Sequence, residues 1–197
     1  MQQIHYETKY TRNQKEKERI FSVAMDLMKA VGYDNLTIRS ICEHAKISTG
    51  MFYRHFESKE ALLAFYYFKA DIAFKEQLKA QIQGEDVKQQ IVSFYTWYTS
   101  YTASFGLDFC QNFFNTKNLT MNTDRVYNQV IEITSDCIRE AINKGYQLPE
   151  GQTPYDISRD ACVVVKGAIF DWCAHDGDYN LSVYVNELVT RCVNGLM

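Results

Sequence analysis

Proline and glycine are too scarce in this chain to punctuate a sheet. Of 197 residues two are proline and nine are glycine, whereas strands need a turn signal every few residues. Long helices are the alternative. With 46% hydrophobic and 14% aromatic residues, the chain carries enough apolar side chain for a sizeable core, as one large domain or two small ones. The class implied is all-α.

The opening MQQIHYETKYTRNQKEKERIF has no apolar centre of the length a secretory leader requires, and no later run approaches the roughly 20 apolar residues that span a bilayer. A cytoplasmic protein without a membrane partner is expected. The six cysteines, at 42, 110, 137, 162, 173 and 192, include no C-x-x-C pair and no histidine at zinc spacing. They read as reduced, small hydrophobes on helices, and no metal or cofactor is implied.

Charge is informative only when divided. Residues 1 to 59 carry a net +3 and the remainder a net −6. A basic N-terminal third on an acidic body is a local footprint for nucleic acid, because phosphate would be repelled elsewhere.

Along the chain, Ile20, Phe21, Ala24, Leu27, Met28 and Val31 make a stripe of helical period within a helix from about Thr11 to Val31, stopped by Gly32. Thr37 caps a second helix, with Ile38, Ile41, Cys42 and Ala45 inward and Arg39, Ser40, Glu43 and His44 outward. After Lys46 and Ile47, Ser48 caps a third, on which Phe52 and Phe56 lie one turn apart. Two short helices joined by a tight turn make a helix-turn-helix, whose second helix enters the major groove.

On that third helix Phe52 and Phe56 point inward, leaving Thr49, Gly50, Met51, Tyr53, Arg54 and His55 for a DNA-facing surface. Gly50 permits close backbone approach, Tyr53 and His55 suit phosphate oxygens, and Lys59 adds a further phosphate contact. Base reading falls to Arg39, whose fork matches guanine, and to Thr49, Met51 and Arg54.

The run LTIRSICEHAKISTGMFYRHFESKEALL, from Leu36 to Leu63, resembles the signature of the TetR (tetracycline-repressor) family of bacterial transcription regulators. Thr37, Ile41, Ala45, Ser48, Gly50, Tyr53, His55, Phe56 and Lys59 stand in register with it. There are two departures: Cys42 replaces the usual alanine, and Lys46 the usual turn glycine. If Lys46 adopts a left-handed conformation it costs roughly 1 kcal/mol more than glycine would, while adding a positive charge beside DNA. The resemblance implies a head of residues 1–57 and a helical ligand-binding and dimerisation domain of residues 58–197. It also implies a homodimer on a palindromic double-stranded operator, acting mostly as a repressor that a small-molecule effector releases.

In the second part, Ser58 caps a connecting helix running to about Gln83 and ending at Gly84. Val87, Ile91, Phe94, Tyr95, Tyr98, Thr102 and Phe105 form one stripe beside Trp97 and Tyr101, and Phe109, Phe113 and Phe114 follow. So many aromatics are either plain core or the wall of an apolar pocket. The pocket reading assigns ligand contacts to Phe94, Tyr95, Tyr98, Phe105, Phe109, Phe113 and Trp172, with Asp108, Glu132, Asp136 and Asp171 as anionic partners for a cationic ligand.

A helix from Asp124 to Lys144 shows Val126, Val130, Ile133, Cys137 and Ala141 along one side. Beyond the break at LPEGQTP, Thr153 and Pro154 open a helix with a broad apolar face, and a last helix carries Leu181, Tyr184, Val185, Leu188, Cys192 and Leu196. These two helices are internal core or a four-helix dimer interface. The resemblance favours the interface, through Val164, Ile169, Leu181, Tyr184, Leu188 and Cys192.

Two rival functions fit less of the chain. An enzyme would draw on His175 near Asp171, Asp176 and Asp178, yet no nucleophile, phosphate loop or metal spacing accompanies it, so a non-enzyme is expected. A thiol-based redox sensor would use Cys162 and Cys173, but eleven residues on one helix separate them by about 16 Å, too far to bridge.

Overall fold

A computed structural model describes residues 9–113 and 123–197. Every regular element among them is helical: α1 (Lys9–Val31), α2 (Ile38–Ala45), α3 (Thr49–His55), α4 (Lys59–Gln77), α5 (Lys79–Ile82), α6 (Val87–Ala103), α7 (Leu107–Phe113), α8 (Thr123–Asn143), α9 (Pro154–Ala174) and α10 (Leu181–Leu196). Two units share the chain, one ending at Phe65 and the other beginning at Tyr66, so α4 contributes to both.

The head unit is organised by apolar side chains at helical spacing. Ile20, Ala24 and Met28 of α1 are buried, as are Leu36, Ile41 and Phe52. Phe56 joins them just past the end of α3. Phe65 meets Phe21 and Phe56 edge-on at ring separations of 5.4 and 5.6 Å, a geometry that sets the positive ring edge against the negative face. Local signals end each element where the sequence places them. Gly32 sits at φ +79 and bonds back to the Met28 carbonyl at 2.8 Å. Thr37 and Ser40 form a reciprocal capping box, and Ser48 accepts from the Met51 amide at 3.2 Å.

The turn between α2 and α3 is left-handed at Lys46, φ 53 and ψ 47. Its amide donates to the Glu43 carbonyl, and that of Ile47 to the Cys42 carbonyl at 3.0 Å, which satisfies the open end of α2. Arg19 of α1 adds a third tie: it donates to the Ala45 carbonyl at 2.6 Å while pairing with Glu16 at 2.7 Å. The guanidinium therefore braces the turn at which a lysine occupies a glycine conformation.

The body unit is centred on α6. Val87, Ile91, Phe94, Tyr95, Tyr98 and Thr102 are buried, in a helix against which α8, α9 and α10 pack. Its interior polar groups have partners: Thr102 donates to the Tyr98 carbonyl at 2.7 Å, and Tyr95 donates across to the Ser158 carbonyl at 3.1 Å. Two expectations are corrected here. The connecting helix stops at Gln77, and non-helical backbone at Leu78 (φ −123) precedes the short α5, with Ile82 buried. No glycine or proline marks that break. On α8 the buried residues are Val130, Ile131, Thr134, Ser135 and Ile138, so Val130 is inward as expected, while the face is otherwise turned about one position from the expected stripe. Thr134 and Ser135 enter the interior because each bonds a carbonyl, of Ile131 at 3.2 Å and of Pro154 at 3.3 Å. Phe114 and the side chain of Val126 lie outside the described residues.

Replacing Lys46 by glycine relieves the left-handed strain. Urea denaturation is expected to show a gain of up to about 1 kcal/mol; a loss would mean that the lysine side chain contributes more than its backbone costs.

Candidate nucleic-acid interface

Helix α3 sorts its residues into two faces. Phe52 is 0% exposed, while Tyr53 is 53% exposed and Thr49, Gly50 and Arg54 are exposed beside it. Met51 and His55 lie half-buried on the flanks, and Ser48 is exposed at the cap. Positions 49, 50, 53 and 54 share one side of a helix, so the polar surface is continuous. A β-carbon at Gly50 would meet nothing nearer than the Ser48 hydroxyl at 3.9 Å. The glycine is therefore not needed for packing within the head.

Other positions carry constraints that spacing alone does not disclose. Arg39 is exposed on α2 and pairs with Glu43 at 2.9 Å, so its fork must exchange a carboxylate to reach a base. The Thr49 hydroxyl bonds the Cys42 thiol. Lys46 is exposed at the turn. Lys59 differs most from expectation: its ammonium donates to the Tyr33 carbonyl at 2.9 Å and lies 3.8 Å from the centre of the Tyr33 ring. It braces the connection between α1 and α2.

His55 is shielded rather than displayed. Partial burial lowers its pKa below the ordinary imidazole value, and Lys17 and Arg54 act in the same direction, outweighing the Glu16 carboxylate. Its imidazole is therefore held neutral near pH 7.

In the body unit the aromatic residues pack on one another. Tyr66, Phe109 and Phe113 lie at ring separations of 4.9 to 5.2 Å; Phe105 meets Tyr66 at 5.4 Å, and Phe94 meets Tyr95 and Tyr98 at 5.1 and 6.1 Å. Between Phe94, Trp97, Tyr98 and Val130 there is a void of about 10 Å³, room for about one water. The expected cavity among these rings is thus close-packed core. Trp172 stands apart, its ring against Gly177 and its indole N–H donating to the Tyr179 carbonyl at 2.9 Å. Space exists next door, in a groove of about 460 Å³, a volume typical of small-molecule sites. It is walled by α4, α5, α6 and α8, and shares Asp71, Gln129 and Ile133 with the small void. Glu132 and Asp136 line it, each bonded to Arg139, at 2.9 and 2.6 Å. Cys137 also lines it, its thiol pushed up to about 11 by burial and by Glu140 and Asp136.

Residues 20–64 match the model of the bacterial regulatory proteins of the tetR family. Over that segment the head is similar to the tetR family. Two relatives from Bacillus subtilis (strain 168), the uncharacterized HTH-type transcriptional regulators YuxN and YerO, are 39% identical over 75 residues and 34% over 77. The matched stretch covers 36% and 38% of this chain but only 25% and 27% of those relatives. The fold is similar to that of Thermus thermophilus FadR, a TetR-family transcriptional repressor solved in complex with lauroyl-CoA (TM-score 0.73, 18% identity, 92% of this chain and 95% of that one). It is also similar to Bacillus subtilis FadR in complex with stearoyl-CoA (TM-score 0.70, 18% identity, 91% and 99%).

In α9 and α10, two of the expected dimer contacts are placed inside the protomer. Ile169 is 0% and Leu181 3% exposed, so both are spent on the protomer's own core. Val164, Leu188 and Cys192 are half-buried, and Tyr184 is 39% exposed. The outward apolar groups are instead Val163, Phe170 and Val183, with Phe170 69% exposed. The seven-residue interval between Val163 and Phe170 was the available sign, since residues two turns apart share a face. Arg19 and Lys17, which brace the head, gave less warning; Lys17 places its ammonium 5.2 Å from the Phe56 ring centre. The remaining candidate from the enzyme reading, His175, bonds the Asp171 carbonyl at 2.8 Å at the end of α9. There it acts as a helix cap.

The His55 shift has a definite sign. A folded-state pKa below the unfolded value favours the head above about pH 6.5 and loses that contribution as pH falls toward the folded value. NMR titration is expected to give His55 a midpoint below the ordinary imidazole value of about 6.5; a midpoint at or above it would mean that its ring is solvated.

Proposed function

We propose that this chain is a ligand-responsive, DNA-binding transcription regulator, a homodimer that represses from a palindromic operator and is released by a small molecule. One observation carries the DNA-binding part: α3 hides Phe52 completely while setting Thr49, Gly50, Tyr53 and Arg54 on one exposed side, within the segment that matches the tetR family. In this reading Tyr53, Ser48, Lys46 and the His55 N–H position the helix on phosphates, with Lys59 supporting them from behind. Arg39, Thr49, Met51 and Arg54 address base edges.

Two heads must engage half-sites about one DNA turn, roughly 34 to 36 Å, apart. The apolar side of α9 and α10 centred on Phe170 and Val183, with Val164, Tyr184, Leu188 and Cys192 at its margins, supplies the second copy's contact. An exposed phenylalanine of this kind is the sort of anchor that dominates interface energetics.

For the effector, the FadR structures make an acyl-CoA one candidate, while the groove itself favours another. It is lined by four carboxylates, Asp71, Glu132, Asp136 and Glu140, against three cations, Lys75, Lys79 and Arg139. A polyphosphate head is poorly matched to that balance. An amphipathic molecule with a neutral or cationic head in the groove, and its apolar part toward Phe94 and Tyr98, fits better. Such a ligand acts by preferring one arrangement of the dimer, and DNA disfavours it to the same degree by linkage.

Binding to a symmetric duplex, followed by fluorescence anisotropy, is expected to weaken steeply with salt. Tyr53→Phe should weaken all duplexes alike, Gly50→Ala should leave folding intact but reduce DNA affinity, and Arg39→Ala should relax preference at particular base pairs by about 1–3 kcal/mol. Absence of any duplex binding at low salt would overturn the function. Phe170→Asp is expected to yield monomers in sedimentation velocity, whereas a dimer as stable as the wild type would remove α9 from the interface. Thermal shift should be larger with an apolar amine than with an acyl-CoA of equal chain length; the reverse order would overturn the assignment of ligand charge.

A further inference from the structure

We propose that Cys110 and Cys173 form a dithiol site, which a hydroperoxide converts into a disulfide joining α7 to α9. The sequence sets Cys173 and Cys162 on one helix too far apart to bond, but folding supplies a different neighbour. Helix α7 packs on α9, and Gln111, adjacent to Cys110, donates to the Cys173 carbonyl at 3.3 Å. The two thiols lie near enough to influence each other's ionisation, and the Cys110 S–H donates to the Thr102 carbonyl at 3.6 Å. Folding thus brings the two thiols together from helices that pack on each other.

The two sulfurs are unequal, which assigns the order of events. Cys110 is 0% exposed, and Cys173 is 9% exposed in the last turn of α9, beside the exposed residues 174–176. The interaction between the two thiols lowers the pKa of Cys173 and raises that of Cys110. Burial pushes the thiols of Cys42, Cys137, Cys162 and Cys192 upward. Cys173 is therefore the preferred nucleophile.

Chemistry then proceeds in two displacements. The Cys173 thiolate attacks the O–O bond of the hydroperoxide, keeps one oxygen as a sulfenic acid and expels an alkoxide, or hydroxide from hydrogen peroxide, which is protonated. Cys110 then attacks the Cys173 sulfur; the S–O bond breaks, a disulfide forms and water leaves with the Cys110 proton. Two thiols are oxidised by two electrons, and one peroxide is reduced to an alcohol and water. Because α7 also carries Phe109 and Phe113 of the aromatic cluster, the bond fixes one wall of the body to the helix that bears Phe170. A thiol reductant reverses it.

The full-length chain, treated with hydrogen peroxide and digested without reduction, provides the test. Loss of two of the six thiols, a linked peptide containing Cys110 and Cys173, and recovery with dithiothreitol are the expected results. Cys162→Ser should leave the linked peptide unchanged. Cys110→Ser should leave a sulfenic acid on Cys173 that dimedone captures, with circular dichroism verifying the fold. An oxidised wild-type chain without that linked peptide, or with Cys137 or Cys192 consumed first, would overturn the proposal. None of these readouts requires DNA binding, so the result is independent of the regulator assignment.

Discussion

The burial of Phe52 and Phe56 is the constraint on which the head depends. Helix α3 has seven residues, far below the length at which an isolated helix persists in water, so its conformation is maintained by what it buries. Each phenylalanine contributes roughly 1.5–3 kcal/mol when removed from water. Phe56 sits in contact with both Phe52 and Phe65, at 5.8 and 5.6 Å. Once those rings are fixed, helical period determines what remains outside. The exposure of Thr49, Gly50, Tyr53 and Arg54 follows from the apolar packing on the other side, and the turn at Lys46 only has to admit it.

Much of this head was legible because its signals are local. Caps at Thr37 and Ser48 in the head, and at Thr153 in the body, each satisfy an amide three residues on, and Gly32 and, in the body, Gly145 take positive φ where their helices stop. Such features depend on a few neighbouring residues and survive any tertiary arrangement. The break at Leu78 carried no such residue. The inward side of α8 was misjudged because Thr134 and Ser135 are polar by type, yet a hydroxyl bonded to a carbonyl loses most of its burial penalty. Ile169 and Phe170 make the same point in reverse. Adjacent apolar residues on α9 face opposite environments, 0% and 69% exposed, and only the position of α9's neighbours decides which is core.

The candidate sites in the body were harder to read than the interface on α3 because they are made by distant segments. Groove residues come from α4, α5, α6 and α8, and Cys110 meets Cys173 across 63 positions of sequence. Aromatic composition led to a cluster of packed rings with a groove beside it. Rings that pack edge to face fill space at nearly crystalline density. The open volume falls beside them, where glutamines, lysines and carboxylates keep the helices from closing. The wall of that groove is consequently polar, and composition alone gives no hint of it.

Charge separation constrains how DNA and effector can influence each other under the proposed function. The first 59 residues carry +3 and the rest −6, so a polyanion is drawn to the head and repelled by the body. The groove lining repeats the body's sign, with carboxylates outnumbering cations. DNA and effector are then recognised by opposite fields and do not compete for the same side chains. On this reading any antagonism between them passes through a change in conformational population. A cation entering the groove would also make the body less negative and, considered alone, ease the approach of DNA. Release therefore requires the conformational preference to outweigh this opposing electrostatic contribution, which screening within a Debye length of about 8 Å at physiological salt keeps small.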